Sequence, residues 1–316
     1  MVFDVLSFGE PLVGFYPPHG VPLAKASSIV KTWGGDTSNV ALGVARLGKA
    51  SRYFSRVGDD PFGRGFLDLW RENGVDTSAV VLDTKHPTGL YFVSFEENRH
   101  VLTYYRSGSA AASVTEGDIS EALVQDSRII HLSGISVGMS EGALSAGKKL
   151  IALARSIGRK VSFDVNYRPA QWPSPSAASA GISSVIGTGV DVLEVTDDEM
   201  AALGWGTQPL DLWGRFPKCG IIIVKQGPKG ALVMSKEQSI GVPAFRVEVK
   251  DTVGAGDNFD AGFLVATLEG KTMKEAARFA AASAALTCTG TGTLEKMPTR
   301  AVVEAFLASQ ESKSKR

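Results

Sequence analysis

Cysteine is almost missing from this chain. Among 316 residues only Cys219 and Cys288 occur, isolated and without metal-ligand spacing, so they read as reduced thiols rather than a disulfide framework or a thiolate metal centre. An excess of one charge is missing too: 33 basic residues balance 33 acidic ones. Without a basic excess, nucleic acid and anionic membrane surfaces are poor partners, and a small-molecule role is favoured. No apolar run is long enough to span a bilayer. Met1-Val2-Phe3-Asp4 leads straight into a strand pattern, with no basic segment followed by an apolar one. The expectation is a cytoplasmic protein. Internal repeats, heptads and linkers are lacking as well, and the length suits one large α/β domain with an added subdomain.

What is present is an alternation of short apolar strands and helices. Residues 2–8 read as a strand ended by Gly9, with Glu10 at its C-terminal end, where open α/β sheets place ligands. Residues 11–31 read as irregular. Residues 51–57 read as a strand, followed by a turn and a helix ending near Asn73-Gly74. Residues 90–95 and 100–105 are rich in β-branched and aromatic residues and predict a hairpin. Two strands alone are marginal in water, so this hairpin must pack on something else. From Ile119 onward strand and helix alternate, as a parallel sheet requires: strands at 129–133, 161–164, 190–195 and 220–224, helices at 144–157 and 273–287. His131, inside an apolar strand, reads as a satisfied core residue. Residues 309–316 read as a polar tail, expected to be without order.

Four stretches carry candidate chemistry. At residues 251–257, Asp-Thr-Val-Gly-Ala-Gly-Asp stands between a strand-like segment, 245–249, and a helix. Its glycines allow a sharp turn with unshielded N–H groups, and free N–H groups at a helix start form an anion site. A carboxylate there should repel a phosphate, unless Asp257 is a base that takes a proton from an attacking hydroxyl. The plain alternative is a glycine turn with Asp257 as an ordinary first-turn helix residue. At 33–39, Trp-Gly-Gly-Asp-Thr-Ser-Asn opens a second helix. The double glycine is either a tight turn or a place where a polyol approaches the backbone, with Asp36 and Asn39 as hydroxyl partners. Asp164, Asn166 and Arg168 concentrate acid, amide and guanidinium at the end of a parallel strand, the edge where active sites form. Lys225-Gln226-Gly227-Pro228-Lys229-Gly230 forms a turn of a common kind.

The string D-T-x-G-A-G-D matches, at every fixed position, the motif of the PfkB (ribokinase-like) carbohydrate kinases. Residues 34–41 match that family's sugar-binding motif, and Val57, Gly58, Asp60 and Gly63 match its V-G-x-D-x-x-G pattern, read here as structural. The matches run from Glu10 to Gly292, so the chain resembles this family over nearly its whole length. The resemblance implies a ribokinase-like three-layer α/β/α core with a mostly parallel central sheet and a small β-sheet lid. The kinase domain would span 1–308, with lid segments at about 11–33 and 86–110, and the lid would pair subunits into a homo-oligomer. It implies ATP and Mg2+, with Asp257 as general base and the amides of Gly254, Ala255, Gly256 and Asp257 as anion hole. Asn166, Lys225, Gly227, Gly230, Ser283 and Thr287 would bind ATP. Glu199 and Asp164 would hold magnesium through water; Thr196 replaces the Asn that usually precedes that Glu by three positions. Asp251, Val253 and Gly292 would form a monovalent-cation site for K+.

The combination G-G-D-T-x-N, Y-Y-R-x-x-S-A-A and D-x-N-x-R-P-x-x-W is similar to the 2-keto-3-deoxygluconate kinase branch, which phosphorylates the 6-hydroxyl of a sugar acid. Gly34, Gly35, Asp36, Asn39, Tyr91, Tyr104, Arg106 and Arg168 would then bind the acceptor. A charge argument supports the branch: two guanidiniums, Arg106 and Arg168, left unpaired around a neutral sugar would be costly, whereas a carboxylate pairs them. An aromatic pair stabilising the hairpin beside a solvated Arg is the alternative for Tyr91, Tyr104 and Arg106. Two rivals stand beside this reading: another PfkB kinase acting on fructose, ribose or 5-dehydro-2-deoxygluconate, and a non-catalytic sugar- or nucleotide-sensing paralogue.

Overall fold

In the computed structural model of the protein, residues 2–18, 20–96 and 99–314 are described. Their strands in chain order are β1 (Phe3–Phe8), β2 (Leu12–Tyr16), β3 (Val30–Gly34), β4 (Ser51–Gly58), β5 (Val75–Asp83), β6 (Gly89–Glu96) and β7 (Arg99–Tyr105). There follow β8 (Ser127–Ser133), β9 (Lys160–Asp164), β10 (Val192–Thr196), β11 (Ile221–Lys225), β12 (Ala231–Met234) and β13 (Ser239–Val242). Nine of them form one sheet in the order β13-β12-β11-β10-β9-β8-β1-β4-β5. From β11 to β5 every pairing is parallel; β12 and β13 add an antiparallel edge.

Strand residues alternate between two cores, as the period of two dictates. Leu6, Phe8, Ile130, Leu132, Ile222 and Val224 face the helices Glu141–Ser156 and Pro175–Gly189. Val5, Ile129 and Ile223 face the helices Asp36–Arg46, Ala255–Leu268 and Met273–Thr287. This is the expected three-layer arrangement, and parallel strands buried on both faces explain the near-continuous apolar runs. A third core joins helix Pro61–Glu72 to the sheet through Trp70, whose indole N–H donates to Ser38 Oγ at 2.9 Å and whose rings lie against Phe66 and Tyr53.

The second sheet has the order β3-β2-β6-β7. The predicted hairpin is β6-β7, antiparallel with Tyr91 opposite Tyr104, and β2 running parallel to β6 supplies the support it needs.

Several expectations are corrected. Residues 11–31 are not irregular throughout, because β2 and the start of β3 pair there. The strand-like segment 245–249 forms no strand. Pro243 precedes it without an N–H to donate, and Phe245 instead packs edge-on against Phe306, with Arg278 over its ring. Strand β5 follows Gly74 where no element was expected. The last helix, Arg300–Ser314, continues through most of the supposed tail; residues 315–316 lie outside the described residues. His131 is buried as expected. Its Nδ1 lies 3.1 Å from Ser162 Oγ, and burial pushes its pKa down to about 4.

Candidate active site

All seven parallel strands end on one edge, which gathers Glu10, Asp164, Thr196 and Lys225. The helix Ala255–Leu268 starts beside that edge. Gly254 caps it in the left-handed region, φ 77°, and a Cβ there would meet Thr293 Oγ1 at 2.3 Å. Only glycine fits on both counts. No side chain caps this helix. Ala255 N–H donates to the carbonyl of Thr252 at 3.2 Å, and Asn258 N–H to the carbonyl of Gly254 at 3.0 Å. The N–H groups of Gly256 and Asp257 have no backbone or side-chain acceptor among the described residues. Of the four amides expected at the anion site, only that of Ala255 is engaged within the turn; that of Gly254, like those of Gly256 and Asp257, has no acceptor among the described residues.

Asp257 is half-buried at this turn, with its Oδ2 accepting from Asn39 Nδ2 at 2.7 Å. Burial first, then the neighbouring charge of Asp36, pushes its pKa up to about 7, while the Asn39 hydrogen bond works the other way. A carboxyl that titrates near neutrality is suited to accept a proton at working pH. The motifs at 34–39 and 251–257, 218 positions apart, thus meet through one hydrogen bond.

Asp36 is buried and its Oδ2 accepts from Asn166 Nδ2 at 3.0 Å. Burial raises the Asp36 pKa. Asn166, at φ 32°, is the one described non-glycine residue with positive φ, and the bend there brings its amide to Asp36. Tyr91 reaches across the lid. Its hydroxyl lies 3.1 Å from that of Tyr16, and its ring fills the space a side chain at Gly14 or Gly34 would need. Gly35, φ 109°, brings its backbone against the carbonyl of Glu10, 2.3 Å from where its Cβ would stand. Tyr104 stands beside Tyr91, rings 6.1 Å apart, and Arg106 lies over the Tyr104 ring.

The two guanidiniums differ in their partners. Arg106 forms a bidentate ion pair with Glu10, Nε to Oε1 at 3.0 Å and Nη2 to Oε2, and Glu10 is fully buried. Burial raises the Glu10 pKa to about 7 against the pull of Arg106. Arg168 is exposed and donates to the carbonyl of Tyr167 at 3.0 Å; its charge acts on Asp36. The expectation of two unpaired cations is corrected: Arg106 brings its own carboxylate.

Beside the glycine turn, Lys225 Nζ lies 3.0 Å from Asp164 Oδ2, 3.0 Å from Asp260 Oδ1 and 3.7 Å from Glu194 Oε2, and 3.5 Å from where a Cβ on Gly256 would stand. The acids raise its pKa against the effect of burial, so it stays charged directly behind the glycine turn. Glu199 closes a capping box: Oε2 accepts from Thr196 N–H at 2.9 Å, and Thr196 Oγ1 accepts from Glu199 N–H at 3.1 Å. Its Oε1 accepts from Tyr167 N–H at 2.8 Å. Thr196 supplies through its hydroxyl the oxygen that this box needs. Among the described residues no trio of acids, His or Cys is arranged to hold a metal ion directly. Asp164 Oδ1 is buried without a partner, which fits a bound water or cation-held water at that point.

Other predicted residues have plainer roles. Gly227 and Gly230 adopt positive φ in a turn where a Cβ on Gly230 would meet Val242's carbonyl. Asp251 accepts from the N–H groups of Val253 at 3.1 Å and Gly292 at 2.8 Å, a bracket that ties these three together. Ser283 and Thr287 are corrected: both are fully buried, Ser283 against Gly262 and Thr287 bonded back to the Ser283 carbonyl, with no open face for a nucleotide. Asp60 caps its helix and binds Thr88, the structural role expected. Sequence reasoning missed Glu194, Asp260 and Thr293. An acid inside the apolar strand 192–195 was the available signal for Glu194, and the one-turn spacing from Asp257 for Asp260; Thr293 carried none.

The pfkB family carbohydrate kinase model matches residues 3–300. Fructokinase-2 of Oryza sativa subsp. japonica is 35% identical over 318 residues, covering 96% of this chain and 94% of the relative. Among solved structures, a PfkB protein from Polaromonas sp. JS666 superposes with a TM-score of 0.87 at 32% identity, covering 96% and 100% of the two chains. A fructokinase from Xylella fastidiosa with bound ATP superposes at 0.89 with 26% identity, covering 98% and 99%. A 2-dehydro-3-deoxygluconokinase from Thermotoga maritima shares the fold, with a TM-score of 0.88 at 22% identity and 97% and 99% coverage. The chain belongs to the PfkB family of carbohydrate kinases.

Proposed function

We propose that this protein transfers the γ-phosphoryl group of ATP to a primary hydroxyl of a six-carbon sugar acid, the 6-hydroxyl of 2-keto-3-deoxygluconate. The observation that carries the kinase reading is the Asn39–Asp257 hydrogen bond at the mouth of a helix with free amides. It brings a proton acceptor tuned near neutrality together with an anion site. Asp257 takes the proton of the acceptor hydroxyl as that oxygen attacks phosphorus. The N–H groups of Gly256 and Asp257 stabilise the charge on the phosphoryl oxygens, with the Lys225 ammonium behind them. Asn39 keeps Asp257 aimed at the hydroxyl. Asp164 and Glu199 would hold a magnesium ion through water, and the ion would neutralise phosphate charge. The bracket of Asp251, Val253 and Gly292 supports a K+ site beside the turn.

For the acceptor, Arg168 supports a sugar acid. Its guanidinium forms no ion pair within hydrogen-bonding distance among the described residues, so it has donors left for a carboxylate. Fructose is the second reading, favoured by the Glu10–Arg106 pair, which removes one cation from the pocket, and by the fructokinase relatives. The exposed Val101, Leu102 and Tyr105 on β7, an edge strand of the lid, support association of subunits there.

ADP release with a panel of 2-keto-3-deoxygluconate, fructose, ribose and 5-dehydro-2-deoxygluconate tests the proposal. The highest kcat/KM is expected with the first. A preference for fructose selects the second reading, and no ADP release with any acceptor refutes the kinase assignment for this chain.

A further inference from the structure

We propose that Glu10 is a specificity-determining residue: it takes the charge of Arg106 out of the acceptor pocket, leaving Arg168 alone to select a carboxylate. The proposal rests on the sugar-kinase reading of the cleft and adds to it the element that sets charge preference. Glu10 has no exposure, and both its oxygens are occupied by the Arg106 side chain. A fully buried carboxylate is costly unless paired, and the bidentate fork pairs it. The pair also joins two bodies, since Glu10 follows β1 of the core while Arg106 follows β7 of the lid.

The core side of this pair is the rigid one. Ser55 Oγ holds the Gly9 carbonyl at 2.7 Å, Ser136 Oγ holds that of Phe8 at 2.8 Å, and Gly35 packs on the Glu10 carbonyl. Arg106 is thus brought to a fixed carboxylate, and its side chain keeps about 15% exposure beside Tyr104. In that state it offers N–H donors to hydroxyl groups without net charge. Arg168 is exposed, donates to the Tyr167 carbonyl and forms no ion pair among the described residues. Of the two guanidiniums, one is thus cancelled by contact and the other keeps its charge available.

The experiment compares wild type, Glu10→Gln, Arg106→Gln and the double variant. Dissociation constants for gluconate and fructose, six-carbon probes with and without a carboxylate, are measured by calorimetry. Glutamine keeps an acceptor for Arg106 but not the charge, so Glu10→Gln should shift the ratio of constants toward gluconate by about tenfold or more. Arg106→Gln should shift it the opposite way, and the double variant should return it near the wild-type ratio. A purely structural role would weaken both probes alike. Unchanged ratios in folded single variants, or a double variant that fails to restore the ratio, overturn the proposal. If Glu10→Gln does not fold, the opposite shift in Arg106→Gln and its reversal in the double variant decide. Failure of the kinase reading shows separately, as absence of ADP release from wild type, and leaves the binding ratios readable.

Discussion

Replacing Asp257 by asparagine removes a base and keeps its shape. An asparagine carbonyl accepts from Asn39 Nδ2 where Asp257 Oδ2 now does, at 2.7 Å, and the amides of Gly256 and Asp257 stay in place. What is lost is proton acceptance, so kcat should fall about 10²–10⁴-fold while KM for ATP and acceptor changes little. The base works only when ionised, and its pKa is pushed up to about 7. Wild-type turnover should therefore drop about tenfold per pH unit below neutrality and level off above it, whereas the variant should show no such limb. Stability runs the other way. The folded-state pKa lies above the ordinary 3.8, so the favourable contribution of the protonated carboxyl is complete below about pH 4 and is lost as pH rises through about 7. Asp257→Asn should then melt higher than wild type at pH 8, and the two should converge near pH 4. Coupled ADP-release assays from pH 5.5 to 8.5 and calorimetric melting give both readouts. A variant within tenfold of wild type at pH 8, or a flat wild-type profile, would refute the reasoning.

Arg168→Ala should raise KM for a sugar acid far more than KM for ATP; equal effects in steady-state kinetics would remove the carboxylate assignment. Gly254→Ala forces a left-handed φ and a contact with Thr293, so about 1–2 kcal/mol of backbone strain alone is expected, seen as a lower melting temperature and lost turnover. Asp60→Ala deletes a cap that binds the N–H groups of Phe62 and Gly63 and also Thr88. It should cost about 1–2 kcal/mol in denaturant melts, with KM values unchanged.

Much of this protein is legible because it is local. A glycine turn before a helix, a β-rich hairpin and alternating apolar strands follow from backbone preferences over a few residues, and the structure places each near its predicted position. The segment 245–249 misled because its alternation serves packing on Phe306 rather than pairing, and periodicity is blind to which of these an apolar face serves. The lid strand β2 escaped notice because its partners, β3 and β6, come from later in the chain. The site divides the same way. By itself the sequence determined that a carboxylate and free amides share one turn, because seven consecutive residues suffice to build it. Only the tertiary structure decided that Asn39 steadies Asp257, that Glu10 cancels Arg106, that Lys225 is held among three acids and that Ser283 and Thr287 are closed off in the core. Each of these is a meeting of side chains tens to hundreds of positions apart or a matter of burial, and charge and accessibility depend on neighbours in space rather than on neighbours in the chain.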